Sequence, residues 1–283
     1  ETGFAFIMIG IALKLALFPL HLWLPNAYTY APSVVTVFLA ATATKVAIYV
    51  MLRILGTVFP QGFALTTPAD EVFIVAGIAG IIIASVYAIY QANVKRLLAY
   101  SSVAQVGYMV LGIGFASATG VTAALVHLFN HALMKGALFM AVGAIIYRIG
   151  ACRMEQIHGL GRVMPWTFGA IVIGGLSLVG VPGTAGFISK WYLVVAALEQ
   201  QAWISVAVIL TGSLLAVVYV GKLIEALYFK PVSDAGHAVS EAPILLLVPT
   251  WGLVLANIYF GLDTDLTVGV AEKAVAILGG TEP

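Results

Sequence analysis

Long apolar runs, separated by short clusters of proline, glycine or charge, follow one another along this chain almost from end to end. A helix crosses a bilayer in about 20 apolar residues, and read at that length the pattern predicts about eight spans. They are Phe4–Leu24, Val34–Phe59, Val72–Tyr90, Leu97–Phe115, Val121–Tyr147, Trp166–Leu198, Trp203–Tyr228 and Pro243–Gly261. The sixth is too long for one straight helix, and Gly180, Pro182, Gly183 and Gly186 should break it at membrane depth. The first is interrupted near Pro19. The fold expected is therefore all-α: a polytopic transmembrane helix bundle of about eight spans with discontinuous first and sixth helices. Residues 1–261 read as a single transmembrane domain, and 262–283 as a short extracytoplasmic C-terminal tail.

Composition agrees with lipid as the solvent. Hydrophobic residues make up 62% of the chain and charged residues 9%, where soluble domains carry about 25% charged residues. The net charge of +1 and the lack of a basic stretch interleaved with aromatics set nucleic acid aside. Cys152 is the only cysteine, so no internal disulfide is available. No serine elbow, glycine-rich phosphate loop or carboxylate pair is present, so neither covalent catalysis nor a cofactor is expected.

Alternate crossing puts Lys95, Arg96, Arg148, Arg153, Arg162 and Lys230 on one face. The other face holds Glu1, Asp70, Glu71, Glu199, Asp263, Asp265 and Glu272, with Arg53 and Lys273 as basic exceptions. The positive-inside rule makes the first face cytoplasmic, which predicts a multi-pass protein of the inner (plasma) membrane with both ends of this segment outside. Glu1-Thr2-Gly3 runs straight into an apolar helix without a starting methionine, which reads as an N-terminally truncated chain.

Four lysines fall inside apolar runs: Lys14, Lys45, Lys135 and Lys190. A lysine at mid-bilayer costs at least about 2.5–3.5 kcal/mol on insertion scales, so each requires a local reason. Spans one to seven offer no acidic residue near their centres to neutralise them. His127, His131 and Lys135 recur at i, i+4 and i+8, which makes one polar stripe on the fifth span. Buried lysines and histidines can take up and release protons, and Ser101, Ser102, Gln105 and Asn130 could hold connecting water. The reading is a hydrated proton path. A metal on His127 and His131 is the weaker alternative, since no carboxylate or cysteine nearby completes a site. Arg53, Lys222 and Lys230 lie near span ends, where snorkelling accounts for them.

The broken first and sixth spans each pair a proline with a lysine, Pro19 with Lys14 and Pro182 with Lys190. They lie five spans apart, so they cross in opposite directions, which points to an inverted repeat.

At LFPLHLWLPNAYTYAP, ATATKVAIYVMLR, NVKRLLAYSSVAQVGYM, VHLFNHALMKGALF and VPGTAGFISKWYL the chain resembles the antiporter-like membrane subunits shared by multisubunit cation/proton antiporters, complex I and membrane-bound hydrogenases. The resemblance implies an inverted-repeat antiporter fold, of which this chain matches the part from about the seventh helix onward. It implies that Lys14 pairs with a glutamate of the first repeat and that Lys45 is a connecting lysine. It also implies that His127, His131 and Lys135 form a central hydrophilic axis, and that Lys190 exchanges protons with the outer half-channel. The stretch FISKWYL is most similar to the D component of the multisubunit monovalent cation/proton antiporters. The first functional expectation is therefore a sodium/proton antiporter subunit, in a hetero-oligomer with other membrane subunits, carrying protons with sodium as the second candidate ion. The alternative is a proton-pumping subunit of a respiratory complex, and a minor one is a structural anchor that conducts nothing.

Overall fold

All eight apolar runs fold as helix in the computed structural model of the chain, which describes residues 2–59, 68–232 and 239–278. Glu1, expected on the acidic face, and residues 279–283 of the expected tail lie outside the described residues. In chain order the helices are α1 (Thr2–Leu15), α2 (Trp23–Tyr30), α3 (Ser33–Phe38), α4 (Thr44–Arg53), α5 (Ala69–Ile89), α6 (Val94–Gly114) and α7 (Ala118–Ile149). They continue with α8 (Pro165–Val179), α9 (Ala185–Glu199), α10 (Trp203–Ile224), α11 (Ile244–Leu262) and α12 (Asp265–Leu278). A π-helical turn at Leu39–Ala43 joins α3 to α4, and others follow at Ile54–Val58 and Glu225–Phe229. Among the described residues, 6 continuous helical stretches are long and apolar enough to cross a membrane.

The two runs expected to be discontinuous are the ones that break. α1 stops at Leu15, and the chain turns at Ala16, with φ of 59°, before it reaches Pro19, whose peptide bond with Phe18 is cis. The break therefore opens ahead of the proline that signalled it. α8 stops at Val179, and Gly180 and Gly183, with φ of 90° and 86°, carry the chain round to α9 in a region that glycine occupies without steric cost.

α6 is the centre of the bundle. Every residue in it except Arg96 is buried, the polar side chains of Lys95, Ser101, Ser102 and Gln105 included. It packs on α5, α7 and α2. Its contact with α5 is close because two glycines face each other: a Cβ at Gly107 would lie 2.8 Å from the Gly77 carbonyl oxygen, and one at Gly77 would lie 2.9 Å from that of Gly107. Small residues that let backbones approach are how helices associate where lipid removes the hydrophobic drive.

α7, at 32 residues, is about 48 Å long and overreaches the hydrocarbon core of about 30 Å. Beyond Ile149 the chain turns back. Val94 N–H donates to the Cys152 carbonyl at 2.9 Å and Met154 N–H to that of Ala92 at 2.8 Å, which ties this loop to the start of α6. Most of the segment read as a tail is a further helix, α12, which buries Val268 and Ala271 beside Val126 of α7.

Candidate functional site

Helix ends and helix defects leave backbone carbonyls without helical partners, and Lys190 and Lys45 go to such carbonyls. Lys190, in the second turn of α9, donates from Nζ to the carbonyls of Leu178 at 2.8 Å and Val179 at 3.0 Å, and to Ser213 Oγ at 3.1 Å. Leu178 and Val179 end α8, where orphan carbonyls gather the negative end of the helix dipole. The break in the sixth run therefore builds the site for its own lysine. The same Nζ lies 4.8 Å from the centroid of the Tyr108 ring on α6.

Lys45 follows the same rule by another route. The π-helical turn just before it widens the helix, and Nζ donates to the carbonyl of Ala40 inside that turn. Lys135, on α7, reaches α6. Its Nζ donates to the Leu98 carbonyl at 2.8 Å and to Ser101 Oγ at 2.5 Å. Ser101 and Ser102 hydroxyls donate to that same carbonyl at 2.9 Å and 3.0 Å, so Leu98 is the acceptor of a small polar knot. Hydrogen bonds from a charged group contribute about 1.5–3 kcal/mol each, the scale of the cost of burying the lysine.

The two histidines stand between the lysines. His127 bridges two helices: Nε2 faces Gln105 Oε1 of α6 at 2.8 Å, and Nδ1 faces Ser189 Oγ of α9 at 2.7 Å. A neutral imidazole that donates from Nε2 to Gln105 accepts at Nδ1 the single Ser189 hydroxyl proton, for which the Gly186 carbonyl at 3.3 Å competes. His131 stacks on His127 with ring centroids 6.0 Å apart and planes 8° apart, and is fully buried. Neither of its ring nitrogens has a protein hydrogen-bond partner among the described residues, nor has Oδ1 of Asn130, whose Nδ2 donates to the Ala185 carbonyl at 2.7 Å. Groups buried in this way are ordinarily satisfied by water.

Lys45, Lys135, His131, His127 and Lys190 thus form one buried row, with Ser101, Ser102, Gln105 and Asn130 along it. Lys14 stands apart. It occupies the last turn of α1, because the helix ends at Leu15, and its side chain is exposed. Pro19 and the pair Pro182 and Gly183 flank the two helix breaks, and only the second break touches the row. Lys222, read as a snorkelling residue, also binds helix-end carbonyls, of Ile89 at 2.9 Å and Gln91 at 3.4 Å. Lys230 pairs with Glu225 at 2.8 Å.

Four further members carried no signal in the sequence. Ser189, Ser213 and Tyr108 complete the surroundings of His127 and Lys190, and the Tyr219 hydroxyl is buried without a hydrogen-bond partner among the described residues. His21 lies buried in the break between α1 and α2, stacked on Phe18 at 5.3 Å. Serine and tyrosine in apolar helices are too common to mark a site by themselves.

The family described as NADH:quinone oxidoreductase/Mrp antiporter, transmembrane, matches residues 1–216. An NADH-quinone oxidoreductase subunit N from Desulforudis audaxviator is 41% identical over 272 residues, which cover 92% of this chain and 54% of that protein. A chain in the structure of the Mrp complex from a Dietzia species superposes with a TM-score of 0.88 at 26% identity, covering 97% of this chain and 59% of that one. A chain of the membrane-bound sulfane sulfur reductase, an archaeal respiratory membrane complex, does so with a TM-score of 0.86 at 32% identity, covering 98% and 56%. The chain spans about half the length of the curated relatives it matches.

Proposed function

The chain belongs to the NADH:quinone oxidoreductase/Mrp antiporter transmembrane family, and from that premise we propose that it conducts protons as part of an antiporter-like subunit in a respiratory complex of the NADH–quinone oxidoreductase type. The observation that carries the proposal is the buried row Lys45, Lys135, His131, His127 and Lys190. Its lysines and histidines are groups that exchange protons, hydroxyls and an amide lie among them, and both ring nitrogens of His131 are without a protein partner among the described residues. The anchor reading leaves four lysines in apolar runs without a purpose.

The sequence resemblance put a sodium/proton antiporter first and a respiratory subunit second. The order reverses here, because the subunit N relative is 41% identical over 92% of the chain while the Mrp chain is 26% identical. The antiporter remains the second reading, on the strength of the TM-score of 0.88. In either case the partners are other membrane subunits, and Lys14, exposed in the last turn of α1, takes its counter-charge from a carboxylate outside this sequence. We infer residence in the plasma membrane with the basic joints in the cytoplasm and residues 262–283 on the opposite side, from the charge bias of the joints.

The test is made in inverted membrane vesicles holding the whole complex, following lumenal pH after NADH and, separately, after sodium. NADH-driven acidification that is lost in Lys190→Ala supports the respiratory reading. Sodium-driven proton movement that depends on Lys190, with NADH-driven pumping untouched, replaces it with the antiporter. Proton movement indifferent to Lys190 under both drives sinks both.

A further inference from the structure

The basic end of the bundle carries a second feature, unconnected with what the lysine row conducts. An apolar groove of about 580 Å³ runs between α3 and α7, walled by Val34, Val37, Phe38 and Ala41 on one side and Met140 and Gly143 on the other. It adjoins a polar pocket of about 390 Å³, with which it shares Ser33 and Ile146 as lining residues. Lys95, Arg153 and Asn93 line that pocket, and no acidic residue is among the described residues that do. Lys95 is 4% exposed, and its one hydrogen bond among the described residues runs from Nζ to the Ala31 carbonyl at 2.7 Å. An ammonium has three donors, so the capacity for a further acceptor remains. Arg153 is exposed at the rim, held there by the backbone pairing of Asn93 with Arg153.

We propose that this composite site binds one anionic phospholipid, its phosphate between Lys95 and Arg153 and one acyl chain in the groove along α3. Charge and depth select this occupant. The pocket lies where α6 begins and α7 ends, on the side that the charge bias of the joints makes cytoplasmic, and basic pockets between transmembrane helices on that side take anionic headgroups. From Ser33 to Thr42 the groove follows about 13 Å of helix, close to the roughly 15 Å of hydrocarbon in one leaflet. A lipid chain ends at that depth, whereas a continuous partner helix would run on through both leaflets.

The test counts phosphatidylglycerol molecules retained by the whole complex, by native mass spectrometry after extraction from nanodiscs of phosphatidylcholine and phosphatidylglycerol. One tightly held phosphatidylglycerol per copy of this chain is expected. Ala41→Trp, which fills the groove, and Arg153→Glu, which reverses the charge, should each lose it, while Arg153→Lys keeps it. Val37→Trp serves in place of Ala41→Trp if the latter does not assemble. Loss with the groove variants but not with Arg153→Glu would assign the groove to a neutral chain or a partner helix and overturn the proposal. Loss with Arg153→Glu alone, together with displacement by inorganic phosphate, would leave a free anion site and overturn it equally, as would an unchanged lipid count in every variant.

Discussion

Lys190 Nζ lies 2.8 Å from the carbonyl oxygen of Leu178, twelve residues earlier in the chain and across a break in the same apolar run. The lysine and the defect that accommodates it are parts of one device: the break frees the carbonyls, and the carbonyls hold the ammonium. Lys45 beside the π-helical turn at Leu39–Ala43 repeats the device within a continuous helix.

Lys190→Ala should abolish proton movement and leave the Leu178 and Val179 carbonyls short of a donor, at a cost of about 1–3 kcal/mol. Assembly of the complex, checked by native gel, should persist, and Arg53→Ala, at an exposed helix end, should leave vesicle pH traces unchanged. Loss of assembly in Lys190→Ala would make the lysine structural.

His127 and Gln105 should behave as a unit. Each of His127→Ala and Gln105→Leu should slow proton movement, and the double variant should be no slower than the worse single one. A coupling of about 0.5–3 kcal/mol in a double-mutant cycle on the transport rate is expected for groups in direct contact. Additive losses would mean that the hydrogen bond at 2.8 Å is incidental to conduction.

Gly107→Leu should impair folding without touching the polar row. Its side chain would press on the Gly77 carbonyl across the α5–α6 contact, an overpacking cost of about 1–3 kcal/mol. Thermal unfolding of the purified complex should show a lowered midpoint, whereas Gly3→Leu, at an open position near the start of α1, should not.

Cys152 should resist alkylation. Burial pushes its thiol up from the ordinary range, against the smaller opposing influences of the Lys95 backbone and charge and of Asn93. A raised pKa means less thiolate at neutral pH, so maleimide labelling should be slow there and should accelerate as pH rises past the usual cysteine range. Rapid labelling at pH 7 would show that the pairing of residues 92–94 with 152–154 opens readily.

The apolar runs, their breaks and the lysines and histidines set within them were legible in the sequence. A helix in lipid must be apolar along its whole length, so each span, and each lysine that violates it, stands out in one dimension. The partners of those lysines were not legible, because most are backbone carbonyls, which every residue possesses and no residue type announces. His127 meets Gln105 and Ser189 from 22 and 62 positions away only because small residues let α6, α7 and α9 approach closely. Lys14 and Lys190 are alike in sequence, each beside a proline break. Yet α1 leaves Lys14 on the surface while α9 aims Lys190 at the end of α8, a difference set by which face of each helix the packing turns inward.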